Sequence, residues 1–80
     1  MRNNIYKLLG KMIKLCRQEK NLTLKELACK IKIHKAYLKL IEEGNAKGLS
    51  LKHIDKICKG LNISFNYLSD LMKSHNKKAP

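Results

Sequence analysis

The fold turns on one stretch, Leu24-Lys25-Glu26-Leu27-Ala28-Cys29-Lys30-Ile31-Lys32-Ile33-His34-Lys35-Ala36-Tyr37-Leu38-Lys39-Leu40-Ile41-Glu42-Glu43. Thr23 stands just before it and forms a capping box with Glu26, in which each side chain satisfies the other's end N–H. Leu24, Leu27, Ala28 and Ile31 follow at helical spacing. No Pro or Gly lies between Asn21 and Gly44. The apolar phase nevertheless changes at Ile31-Lys32-Ile33, which predicts a short break. A second helix then runs from about His34 to Glu43, closed by Gly44 as a left-handed cap. Two short helices about a tight turn, with small Ala28 where the second must approach closely, have the shape of a helix-turn-helix.

The flanking sequence is helical too. From Ile5 to Gln18, Ile5, Leu9, Met12 and Cys16 form a narrow stripe when residues are set about 100° apart. Ile13 and Tyr6 flank it on one side, Leu8 and Leu15 on the other. Lys7, Lys11, Lys14 and Gln18 lie opposite. The apolar face is wide, which suits a helix packed on two neighbours, with Leu8 and Leu15 as candidates for a partner. After a Gly44–Leu49 loop, Ser50 predicts an N-cap, and Leu51, Ile54, Ile57, Cys58 and Leu61 a core face. Asn62 predicts a left-handed cap, and Ser64 caps a last helix with Phe65, Leu68, Leu71 and Met72. The expected architecture is all-α: a compact five-helix bundle with helices near 5–19, 24–31, 34–43, 50–61 and 64–73. Residues 1–73 form the domain and 74–80 a basic flexible tail.

Composition narrows the function. The 80 residues carry 18 Lys+Arg against 6 Asp+Glu, a net charge of +12. This is one small domain with little room for a deep catalytic cleft. The charge points to a polyanion, nucleic acid before an acidic membrane surface. No run approaches a membrane span, and no signal peptide is expected. Cys16, Cys29 and Cys58 are an odd set with no C-x-x-C pair, read as reduced residues acting as small hydrophobes in a cytoplasmic protein. His34, His53 and His75 do not fall at zinc spacings, so neither a metal nor a cofactor is expected. An enzyme fits poorly: Glu42 and Glu43 point to different faces, the histidines are scattered, and no Gly-rich phosphate loop exists.

Leu27-Ala28, Ile33, Leu38, Ile41-Glu42 followed by Gly44, and the Leu61-Asn62-Ile63-Ser64 run together resemble the lambda-repressor-like, or Xre-type, DNA-binding domain. The likeness extends from about Leu9 to Leu71. It implies an internal ion pair between Arg17 and Glu42, for which a bidentate guanidinium suits a carboxylate held partly from water. It also implies that Lys35, Ala36, Lys39 and Leu40 face the major groove. Lys35 and Lys39 can donate to guanine or phosphate, while Ala36 and Leu40 can touch a thymine methyl. The core side of this helix is expected to hold His34, Leu38 and Ile41, with Tyr37 at its edge. His34 and Tyr37 also count among candidate DNA contacts, Tyr37 reaching a phosphate. Phosphate contacts are expected from Thr23, Leu24 and Lys25 and from Asn45 and Lys47. The chain departs from the family at Leu24, where Gln is usual, and at Lys32, where Gly is usual.

The resemblance thus implies a sequence-specific transcriptional regulator of repressor or controller type. It would act as a homodimer on double-stranded DNA, through a palindromic operator in the cytoplasm at the nucleoid, with Phe65, Tyr67, Leu71 and Met72 as the dimer surface. Small stand-alone relatives include restriction–modification controllers, compact phage or plasmid repressors, and antitoxins. The alternative is an antitoxin or inhibitor that uses the same fold to bind a toxin or other protein. A membrane-surface role for the first helix is disfavoured by the capped, core-patterned body behind it.

Overall fold

Polar side chains set the starts of the helices. Thr23 Oγ1 accepts from the Glu26 amide at 3.0 Å and Glu26 Oε1 accepts from the Thr23 amide at 2.8 Å, the full capping box. At the fourth helix Ser50 and His53 repeat it, the imidazole Nδ1 standing where a carboxylate is usual. Ser64 Oγ accepts from the Tyr67 amide at 2.9 Å. Lys32, Gly44 and Asn62 close three helices in the left-handed conformation, at φ 58°, 79° and 59°. The computed structural model describes residues 5–76, as α1 (Ile5–Glu19), α2 (Leu24–Ile31), α3 (Lys35–Glu43), α4 (Leu51–Leu61) and α5 (Phe65–Asn76).

Four boundaries differ from expectation; at two of them Ser50 and Ser64 stand as caps just before helices that begin at Leu51 and Phe65. His34 is not core: it is exposed and precedes α3 as its N-cap, where Nδ1 accepts from the Ala36 amide at 3.3 Å. An imidazole engaged by the first turn points along the helix axis, away from the interior. Helix α5 continues past residue 73, so Ser74, His75 and Asn76 of the expected tail are helical. No Gly or Pro interrupts this stretch, and Lys73 and His75 in the last turn favour the negative end of the helix dipole. Residues 77–80 of the tail, including Lys77 and Lys78, lie outside the described residues, as does Arg2.

The core draws on every helix. Leu9, Met12, Ile13 and Cys16 of α1 meet Leu27, Ala28 and Ile31 of α2, Ile33 of the turn, Leu38 and Ile41 of α3, Ile57, Cys58 and Leu61 of α4, and Leu68 of α5. Ile5 and Leu51, expected on core faces, are exposed; each is the first residue of its helix and projects beyond the neighbours. Leu15 is also exposed and Leu8 half-buried, so the wide apolar face of α1 is not wholly covered. Cys16 and Cys58 are buried as read, but Cys29 is exposed, on the outer side of α2.

Helix α1 packs on α3 and α5 and touches α4, and α2 packs between α3 and α4. The α1–α3 crossing depends on Gly10. A Cβ there would lie 2.3 Å from the Ile41 carbonyl oxygen and 2.5 Å from that of Glu42. Only a residue without a side chain lets the two backbones meet this closely.

Candidate nucleic-acid interface

Helix α3 has two chemically distinct sides. Leu38 and Ile41 are buried, while Lys35, Ala36, Lys39, Leu40 and Glu43 are exposed. Neither Lys35 nor Lys39 forms an ion pair with a described residue. Both ammonium groups are therefore available to an external anion.

The helix is held from behind. Arg17 Nε donates to Glu42 Oε2 at 2.7 Å and Nη2 to Oε1 at 3.0 Å, a bidentate fork. Nη1 donates to the Leu22 carbonyl at 2.9 Å. The side chains are 10% and 5% exposed. One guanidinium thus joins α1, the α1–α2 connection and the end of α3. The hydrogen bond to Glu42 raises the Arg17 pKa further, against the opposing effect of burial.

Tyr37 ties down the following loop. Its hydroxyl donates to the Lys47 carbonyl at 3.4 Å, and its ring meets His53 edge-on with centroids 5.2 Å apart. The Asn45 amide donates to the Leu40 carbonyl at 2.8 Å. Asn45 and Lys47 are exposed on a loop fastened to α3. On the other flank, Thr23 and Lys25 are exposed and Leu24 is half-buried.

Leu24 shares a shallow cavity of about 170 Å³ with Lys39, Glu42 and Glu43 of α3 and with Lys14 and Arg17 of α1. Lys14 was not among the expected site residues. Helical spacing assigns it only to a solvent-facing lysine stripe; its place beside α3 follows from the α1–α3 crossing, which no local pattern encodes.

The four expected dimer residues do not share one surface. Phe65 and Met72 line an apolar groove of about 220 Å³ with Leu9, Ile54 and Leu68. Tyr67 lines a different cavity of about 330 Å³ with Cys16, Lys20 and Asn62. Leu71 is partly buried against the core.

Charge is spread unevenly: +5 over residues 1–20, +2 over 21–44, +2 over 45–71 and +3 over 72–80. The helix-turn-helix carries little of it. Among the described residues, no group of three or more His, Cys, Asp or Glu gathers as a metal site. No described helix is long and apolar enough to cross a membrane.

A family model described as helix-turn-helix matches residues 13–68. Among solved structures, a mutant of the restriction-modification controller protein C.Esp1396I superposes with a TM-score of 0.88 at 25% identity, over 100% of both chains. The same controller bound to a 19 base pair DNA duplex gives 0.79 at 29% identity, covering 86% of this chain and 91% of that one. The clp gene regulator ClgR from C. glutamicum gives 0.80 at 26% identity, covering 86% and 87%. No curated protein matches significantly in sequence.

Proposed function

The chain belongs to the lambda-repressor-like, Xre-type helix-turn-helix family, and on that footing we propose that it is a DNA-binding transcriptional regulator that inserts α3 into the major groove. The observation that carries this is the two-sided α3. Its inner side is locked to α1 by Arg17–Glu42, and its outer side presents Lys35 and Lys39, neither ion-paired with a described residue. A rigid helix with free cations on one face suits a groove lined by phosphates. The controller likeness, including the structure on DNA, supports the same reading.

Around this helix, Thr23, Lys25, Asn45 and Lys47 hold the phosphate backbone, and Lys14 joins them from α1. Tyr37 acts mainly by fixing the loop through Lys47, and His34 mainly by capping α3. Lys77 and Lys78 add attraction that does not depend on sequence. The protein acts in the cytoplasm on a palindromic operator as a homodimer, with two copies of α3 about 34–36 Å apart. The groove of Phe65, Met72 and Ile54 is the dimer surface, since it is apolar and no residue of α3 lines it. The protein performs no catalysis. The toxin-binding alternative has in its favour the apolar surface of exposed Leu40 and half-buried Leu24.

The test is the double variant Lys35→Ala/Lys39→Ala. Its helical circular dichroism stays intact and binding to the region upstream of its own gene falls to the non-specific level. Wild-type binding by the double variant would overturn the groove assignment.

A further inference from the structure

The outer face of α3 is poor in the groups that read bases by hydrogen bonding. It carries no Arg, Asn or Gln, so it has no planar fork for guanine and no amide for adenine. Lys35 and Lys39 are point charges on flexible stems, which attach to phosphate and guanine alike. Glu43 lies at the helix end, where its carboxylate opposes phosphate. The parts of this face with fixed shape are apolar. Ala36 is exposed, and Leu40 is 42% exposed although nothing in the fold requires a leucine there. Leu24, half-buried and lining a shallow cavity with Lys39, Glu42 and Glu43 of α3, extends the apolar surface onto α2.

Resting on the function proposed above, we infer that this protein reads its half-site through the C5-methyl groups of pyrimidines, with Ala36 and Leu40 as the specificity-determining residues. Thymine is the base that presents a methyl in the major groove. Ala36 and Leu40 are four residues apart, so they stand about 6 Å apart along the helix axis. Successive base pairs are about 3.4 Å apart. The two side chains therefore meet methyls about two base-pair steps apart, while the flanking lysines hold the backbone and set the register. Such contacts sense the methyl and not the rest of the base, so 5-methylcytosine satisfies them where cytosine does not.

The experiment uses the full-length protein and a random duplex library at physiological salt. The bound pool is sequenced, and the recovered site is remade with single thymines replaced by deoxyuridine, which removes only the methyl. Two positions per half-site, about two steps apart, then weaken binding about fourfold each. At those positions 5-methylcytosine binds about fourfold more tightly than cytosine. Leu40→Ala, checked for folding by circular dichroism, abolishes the deoxyuridine effect at one position and leaves the other. A recovered site that binds equally with uracil and thymine would overturn the inference and leave the regulator reading standing. So would duplex binding with no preferred sequence. A Leu40→Ala variant that keeps both deoxyuridine effects would remove Leu40 from the reading. Absence of any duplex binding would sink the regulator reading itself, and the inference with it.

Discussion

Removing Arg17 is the sharpest probe of how α3 is held. Arg17→Ala deletes two bonds to the Glu42 carboxylate, at 2.7 and 3.0 Å, and one to the Leu22 carbonyl. Glu42 is left as an uncompensated carboxylate whose side chain is 5% exposed. Breaking a buried pair from one side costs about 3–5 kcal/mol. An 80-residue domain has only about 4–12 kcal/mol in total, so the variant stands near the limit of folding. The double variant Arg17→Met/Glu42→Leu removes both charges and retains apolar volume, and loses no more than about 1–2 kcal/mol. Urea denaturation followed by circular dichroism measures Arg17→Ala and the four corners of the cycle: wild type, Arg17→Met, Glu42→Leu and the double variant. The expected coupling exceeds about 2 kcal/mol. A loss below about 1 kcal/mol for Arg17→Ala, with negligible coupling, would mean that the pair behaves as an exposed surface pair. The tie would then not hold α3. The charge state of Arg17 does not limit it: the hydrogen bond to Glu42 raises its pKa above the already high arginine value, so the stabilisation is fully present below that value and is lost only as pH rises through it.

Gly10→Ala places a methyl against the Ile41 and Glu42 carbonyls; it costs about 1–3 kcal/mol and displaces α3, so DNA affinity falls as well. A more stable variant with unchanged binding would show that the crossing is slack. Burial raises the thiol pKa of Cys16 and Cys58, so a thiol reagent modifies Cys29 rapidly and the other two only on unfolding. Three equally fast thiols would contradict the core. The same shifts mean that stability is full below the unfolded thiol value of about 8.5 and declines as pH rises above it, as unfolding then releases protons; an alkaline denaturation series checks the sign. Lys32 sits at φ 58°, so Lys32→Gly relieves about 1–2 kcal/mol of left-handed strain against an entropic cost of about 0.5–1 kcal/mol. Its midpoint in urea rises, and a lower midpoint would show that the lysine side chain contributes more than the strain.

Much of this was legible because it is local. Thr23-x-x-Glu26, Gly44, Asn62 and Ser64 each specify a helix end within four residues, and all four act there in the structure. The turn at Lys32 was legible from the change of apolar phase, even without the usual glycine. What local pattern does not carry is which helix lies against which. Lys14 joined the α3 face through a crossing at Gly10, and Phe65 parted from Tyr67 because two residues on a helix lie on opposite sides. His34 and Leu51 were misplaced for a related reason. Periodicity assigns a side to each residue but does not say where the helix stops needing one.

The division of α3 into a tethered side and an exposed side also bears on how such a protein diverges. Arg17, Leu38, Ile41 and Glu42 hold the helix, and none of them is Lys35, Ala36, Lys39 or Leu40. Substitutions at the latter four change stability by roughly 0.5 kcal/mol or less, as exposed positions do. On the proposed groove assignment, a duplicated copy could therefore drift at these positions towards a different DNA site without passing through an unfolded intermediate. Two descendants in one cell would become insulated from each other by changes at four solvent-facing positions, on a scaffold neither needs to alter.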